Sequence, residues 1–409
     1  MLNKVWLGFF VVSFLTAIYS WLIQGDYTVF NSIVDSIFKM SQLSVEIAIG
    51  LIGVLAFWCG ILKLAEMAGL ANGLARLLSP LFNKLMPQVP AGHPSLGYVT
   101  MNMASNMLGL DNAATPVGLK AMESLQTLNP DKETASNAQI LFLVLNTSSV
   151  TIFPVTIMMY RLQQGASSPA EIFLPILLAT CVSTIVGLLS VALIQRINLF
   201  NRVILAYFLV SVACIGGLVF WLNSFPPQKM ADLSAAIGNG LLFTAIVAVL
   251  VVAYLKKISI YEGFVEGAKE GFEIAVKIIP FMVAMLVAIG TMRASGVLQK
   301  LVDGISWLVS SVGLDSRFVE ALPTALMRPF SASGSRAMML ETMNSQGVDS
   351  FAAKLASIMQ GSTETTFYVL TVYFGAVGIK RVRHAIGCGL LADLGGIIGA
   401  IIVAYWFFG

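Results

Sequence analysis

The sequence predicts an all-α polytopic membrane protein built from two inverted-topology repeats, with broken helices, re-entrant hairpins and about nine spans. Three observations lead there: the scarcity of charge, the spacing of the apolar segments, and the recurrence of one segment order in both halves. Of 409 residues, 57% are hydrophobic and 11% are charged, with a mean hydropathy of +0.85. Soluble domains carry about 25% charged residues, so this chain lacks the polar surface to stay in water. A net charge of +3 gives no basis for a nucleic-acid partner.

Membrane-length apolar segments fall at 5–23, 43–65, 134–160, 170–195, 203–222, 237–255, 274–292, 350–375 and 383–408. The first has one lysine before a run longer than a signal peptide's apolar region and no A-x-A cleavage site, so it is expected to be a retained span. Residues 28–42, 70–86, 258–272 and 296–313 are amphipathic and are expected to lie at the interface as helices. Residues 92–128 and 316–346 mix Asn, Ser, Thr, Gly and Pro with apolar side chains. That mixture predicts re-entrant hairpins, because irregular backbone at membrane depth is tolerated only where it lines a cavity.

The order repeats. SIVDSIFKMSQLSVEIA at 32–48 aligns with GFVEGAKEGFEIAVKII at 263–279, and PVGLKAM at 116–122 with ASGSRAM at 332–338. Three units are expected: a first repeat at 1–198, a linker with one extra span at 199–235, and a second repeat at 236–409. The extra span turns the second unit upside down. Placing the N-terminus in the cytoplasm puts Lys63, Arg76, Lys84, Arg196, Arg202, Lys256, Lys257, Lys269, Lys277, Lys380, Arg381 and Arg383 inside and leaves Lys39, Arg161, Lys229, Arg293, Lys300 and Arg317 outside.

Two polar runs interrupt apolar segments at equivalent places. In NTSSVTIFP, Pro154 removes a backbone donor, and Asn146, Thr147, Ser148 and Ser149 can satisfy the carbonyls set free. In QGSTETT, Gly361 is the flexible point, flanked by Gln360, Ser362, Thr363, Glu364 and Thr365. Unwound helices of this kind bind solute near the midplane of secondary transporters. The bland alternative is that such hydroxyls only bond their own helices or pack them together. Glu364 is the sharpest signal, because a carboxylate at a helix centre costs about 2.5–3.5 kcal/mol on insertion scales. It must face a wet cavity, carry a proton, or pair with Arg328 or Arg336.

The hairpins offer further ligands: Asn102, Asn106, Asp111, Asn112 and Thr115 in the first, and Arg328, Ser331, Ser333, Ser335 and Arg336 in the second. Both contain a break followed by a helix start, where exposed N–H groups favour anionic groups. Arg328 either reinforces such a site or snorkels to the interface. His93 and His384 lack metal-ligand partners at helical spacing, and no metal or cofactor is expected. Asp393, beside paired glycines, is expected to hydrogen-bond a neighbouring helix backbone. The four cysteines fit small core side chains. Neither GxxxxGK[ST] nor GxGxxG occurs, and no nucleophile–base set appears, so no enzyme is expected.

Residues 1–200, with GHPSLGYVTMNMASNMLGLDNAATPVGLKAMESLQ and NAQILFLVLNTSSVTIFPVTI, resemble the spore maturation protein A family. Residues from about 265 onward, with ALPTALMRPFSASGSRAMMLE, QGSTETTFYVLTVYFGAVGIKR and GLLADLGGIIGA, resemble the spore maturation protein B family. The resemblance implies a natural fusion of the two. It also implies membership of the wider group carrying a nucleoside-recognition gate domain, which includes relatives of concentrative nucleoside transporters and the membrane part of ferrous-iron transporters. The iron transporters bring a GTPase, whose phosphate-binding motif these residues lack.

Two functions from different classes follow. One is a multi-pass secondary transporter or facilitator in the bacterial inner membrane, moving a nucleoside-like or dipeptide-like solute by alternating access, with Na+ or H+ as candidate coupling ion. The other is a non-transporting scaffold or assembly factor of the spore-maturation type, which has no need of matched polar breaks. Expected partners are the solute and the bilayer, with a homo-oligomer as a candidate assembly and no nucleic acid.

Overall fold

The computed structural model describes residues 2–109, 111–148 and 150–409. The first half comprises α1 (Leu2–Ile23), α2 (Val29–Met67), α3 (Leu70–Leu85), α4 (Pro94–Met107), α5 (Asp111–Thr127), α6 (Asn137–Thr147), α7 (Val155–Gln163) and α8 (Phe173–Gln195). After α9 (Arg202–Leu222) come α10 (Pro227–Leu255), α11 (Ile260–Ala294), α12 (Val297–Ser311), α13 (Leu322–Met327), α14 (Ala332–Gln346), α15 (Phe351–Gly361), α16 (Thr366–Ala376) and α17 (Ala385–Phe408). With α9 set aside, α1–α8 correspond one to one with α10–α17.

Among the described residues, 7 helices are long and apolar enough to cross a membrane: α1, α2, α8 with the turn before it, α9, α10, α11 and α17. The broken segments α6–α7 and α15–α16 supply the remaining two of the spans expected. Their polar runs break them where the sequence says: α6 stops at Thr147 and α7 starts after Pro154, while α15 stops at Gly361 and α16 starts after Thr365.

The separate interfacial helices expected at 28–42 and 258–272 are not found. Each runs without interruption into the following span, giving α2 39 residues and α11 35. At about 1.5 Å per residue these helices are about 58 and 52 Å long, well beyond the hydrocarbon thickness of about 30 Å. The change from amphipathic to apolar alters the environment without a proline at the junction, so the helix continues; in α11 Pro280 comes later, inside the apolar part, and costs one ladder bond without ending the helix.

A seam of glycines joins α2 and α11. A Cβ at Gly267 would lie 2.5 Å from the Cys59 carbonyl oxygen, one at Gly271 2.5 Å from that of Leu55, and one at Gly290 2.5 Å from Met40 Cγ. Gly263, Gly267 and Gly271 recur every fourth residue, the small-xxx-small spacing that lets membrane helices approach closely. The pairing is antiparallel, with the start of α11 against the end of α2. Substituting Gly271 with Leu is expected to cost about 1–3 kcal/mol or more by forcing backbones apart. Gly304→Leu, where a Cβ meets nothing within 4 Å, should be near neutral. Melting temperatures of the two purified variants check this, and equal losses would contradict the seam.

Other equivalent elements are also antiparallel. In α8 and α17, Gly187 faces Ala392, and Gly395 and Gly399 face Val186 and Val182. Two loop clamps repeat the relation. The loop before α6 is tied to the loop before α17 by Arg381–Asp131 (3.0 Å) and Lys380–Glu133 (2.6 Å). The loop before α15 is tied to the end of α7 and the loop after it by Arg161–Asp349 (3.3 Å) and by the Ser167 N–H donating to Asp349 Oδ2 (3.1 Å). Equivalent parts run in opposite directions throughout, which is the inverted repeat.

Candidate functional site

The two breaks meet. The N–H of Glu364, in the second, donates to the carbonyl of Thr147, at the edge of the first, at 2.7 Å. Phe142 packs against Tyr373, and Gly361 abuts Ile157, so α6 runs beside α16 and α15 beside α7, again antiparallel.

Each hairpin takes up a backbone group that its break sets free. In the first half Ile152 N–H donates to the Met107 carbonyl (3.0 Å), and in the second Phe367 N–H donates to that of Pro329 (3.0 Å). The Arg328 guanidinium donates to the Thr363 carbonyl through Nε at 2.7 Å and also through Nη2, and the Thr184 hydroxyl donates to the Ser148 carbonyl. Unwound backbone inside a membrane protein needs such partners, because water is scarce there.

Beside the crossing lies a cavity of about 330 Å³, room for about ten waters. Of the residues singled out from sequence, Asn106, Arg328, Arg336, Gln360 and Glu364 line it. The sequence reading missed Lys63 and Glu66 of α2, Glu270 of α11, and the aromatic walls Trp58 and Tyr160. Lys63 was assigned to an inside loop. It lies instead within α2, 3.2 Å from Glu266 and 3.5 Å from Glu270. Carboxylates at 266 and 270 are one helical turn apart on α11, which is the signal that could have marked this cluster.

Glu364 is 3.5 Å from Arg328, yet its side chain is 56% exposed while that of Arg328 is 7% exposed. The carboxylate therefore both pairs and faces the cavity, and Arg328 points inward rather than snorkelling. Arg336 lies 5.2 Å over the ring of Tyr160. The Gln360 amide is buried, and its Oε1 has no hydrogen-bond partner. Formal charges in the wall are Lys63, Arg328 and Arg336 against Glu66, Glu270 and Glu364. The wall is thus net neutral but strongly polarised.

The other sequence candidates sit elsewhere. Asn102 and Asn146 are buried in a network with Asn106 and Tyr373: Asn106 donates to Asn146 (2.8 Å), Asn102 to the Ala114 carbonyl (2.7 Å), and the Tyr373 hydroxyl lies 3.3 Å from Asn102 and 3.4 Å from Asn146. Ser148 and Ser362 bond back to their own helices, at the Val144 and Met359 carbonyls. Thr147, Thr363 and Thr365 are buried away from the cavity. Ser331 caps α14 through Gly334 N–H and faces the Ser333 hydroxyl, and Ser335 donates to Thr324. Thr115 is half-buried on α5. Ser149 and the side chains of Asp111 and Asn112 lie outside the described residues. His93 caps α4, and His384 is 3.0 Å from Gln195. Asp393 accepts from the Thr366 hydroxyl at 2.6 Å rather than from a helix backbone.

Comparison with known proteins matches residues 48–163 and 275–380 to the family described as gate, nucleoside recognition. These stretches run from within α2 through α7, and from within α11 past α16, equivalent parts of the two halves. The chain is 48% identical over 164 residues to spore maturation protein B of Bacillus subtilis (strain 168), covering 40% of this chain and 90% of that protein. It is 36% identical over 185 residues to spore maturation protein A of the same organism, covering 45% of this chain and 91% of that protein. The two relatives match different parts of the chain. No solved structure gives a match.

Proposed function

Because the chain belongs to the nucleoside-recognition gate family, and carries in one polypeptide the counterparts of two separate spore maturation proteins, we propose that it is a secondary transporter or facilitator of a small polar metabolite. The observation that carries this reading is the shared cavity. Both broken helices, both hairpins and both long helices of the seam contribute to one chamber whose largely apolar wall carries six charged side chains, with Glu364 open to it. A bundle whose only task is to scaffold has no use for a charged chamber at the crossing of two interrupted helices.

The chamber's equal complement of cations and carboxylates favours a net-neutral solute with several hydrogen-bonding groups. Nucleoside-like and dipeptide-like molecules both meet that description. Rocking of one repeat against the other around the crossing would expose the chamber to each side in turn. In this reading the protein sits in a bacterial inner membrane with its N-terminus in the cytoplasm, a proposal that the excess of Lys and Arg in the loops then inside supports.

A melting screen of the purified protein against nucleosides, dipeptides, amino acids and small carboxylates tests the reading. A ligand at 100 times its dissociation constant raises stability by about 2.7 kcal/mol. At least one class should raise the melting temperature in this way. If no class does, and Glu364 and Gln360 variants melt like the wild type, the scaffold function is favoured instead.

A further inference from the structure

The wall of the chamber holds three cations, and two of them have carboxylates beside them: Lys63 has Glu270 at 3.5 Å and Arg328 has Glu364 at 3.5 Å. Arg336 differs. Its side chain is half-buried on α14, five residues after the Ser331 cap, and among the described residues its charge meets only the ring of Tyr160, at 5.2 Å. The ring orients the guanidinium and leaves its N–H groups free to donate.

Free donors on a half-buried cation call for an acceptor that carries negative charge. Two neighbours extend the site. The helix α14 begins at the chamber, where Ala332 forms part of the wall, and the start of a helix favours an anion. Gln360 also lines the chamber, is 5% exposed, and has an Oε1 without a partner. Buried amide oxygens are nearly always bonded, so this one lacks the N–H it needs. Both side chains border one stretch of α7: Arg336 covers Tyr160, and Gly361, next to Gln360, abuts Ile157 one turn earlier. Four residues beyond Gln360, the Glu364 carboxylate opens to the same chamber and keeps lone pairs to offer besides those facing Arg328.

The wall thus presents a cation for a carboxylate, an amide oxygen for an N–H, and a carboxylate for an ammonium. A dipeptide carries the three complements in that order, from its C-terminus to its N-terminus. A nucleoside has no charge for Arg336 to meet, and a free amino acid has no peptide N–H for Gln360. We propose that the solute is a zwitterionic dipeptide, with its carboxylate on Arg336, its peptide N–H on Gln360 and its ammonium on Glu364. The assignment rests on the transport reading and narrows it to one class. Arg336 is then the residue that sets specificity, because a solute without a carboxylate leaves its charge uncompensated.

Melting of the purified protein with alanyl-alanine, its C-terminal amide, its N-acetyl derivative, free alanine and uridine tests the assignment. Alanyl-alanine should stabilise wild type in a saturable way, and the amide and the N-acetyl derivative should each bind at least fivefold more weakly. Arg336→Gln should lose the same factor for alanyl-alanine yet bind the amide as wild type does, because the charge it would meet is already gone. Should that variant fail to fold, Arg336→Lys, which keeps the charge without the fork, should lose part of the preference for acid over amide. Equal binding of acid and amide by wild type overturns the proposal. So does an Arg336→Gln protein that still prefers the acid as wild type does, or free alanine binding as tightly as the dipeptide. Stabilisation by uridine alone overturns the dipeptide and leaves the transport reading standing, whereas no response to these probes or to the wider screen removes both.

Discussion

Glu364→Gln is expected to weaken solute binding and flux while leaving the protein folded. The amide matches the carboxylate in shape but removes the charge, so a charge-assisted hydrogen bond to solute becomes a neutral one, a loss of about 1–1.5 kcal/mol. That corresponds to a loss of affinity of about 5- to 13-fold. Stability should change little. The Glu364 side chain is 56% exposed, so its attraction to Arg328 is screened, and Arg328 keeps its bonds to the Thr363 carbonyl. Solute titration and melting of the same preparation measure the two quantities together. A variant that binds solute as wild type does would place the recognition elsewhere. One that melts far below wild type would make Glu364 a structural residue.

Arg161→Leu is expected to give the largest loss of stability from a single side chain. Arg161 is fully buried, donates at 2.7 Å to Glu171, lies 3.3 Å from Asp349, and donates to the Val348 carbonyl at 3.1 Å. It thereby ties the end of α7 to the turn before α8 and to the loop before α15. Removing one partner of a buried pair costs about 3–5 kcal/mol, because the other is left uncompensated. The lower end applies here, since Lys354 still reaches Glu171 at 3.1 Å. Arg161→Lys keeps the charge but not the fork that serves three acceptors, so it should fall between. Melting curves of the three proteins give the order, and an Arg161→Leu protein as stable as wild type would contradict it.

The repeat and the two breaks were legible in the sequence because they rest on contrast. A polar run inside an apolar segment, with Pro154 or Gly361 beside it, has few foldings available in a bilayer. The roles of the polar side chains were less legible. Ser148 and Ser362 satisfy carbonyls one turn back, and Asn102 and Asn146 bond each other's neighbourhood, because backbone unwound inside protein must be satisfied before solute is served. Length of helix was also hidden. Residues 28–42 look interfacial by composition, but they continue into the span with α11 packed alongside, Met40 against Gly290, a contact between residues far apart in the chain. The same contact places Lys63 and Glu270 together, and makes a cavity wall of what reads as loop charge. Arg161 likewise reads as a lone outside cation until Glu171 and Asp349 are folded against it.

Cys59 lines the chamber and offers a direct test of transport that needs no knowledge of the solute. With Cys181, Cys214 and Cys388 replaced by serine or alanine, the protein is reconstituted in vesicles and treated with a membrane-impermeant thiol reagent from one side or the other. Alternating access predicts that Cys59 is modified from both sides, because each repeat in turn opens the chamber. Modification from one side only, under every condition of ion and pH, would contradict it.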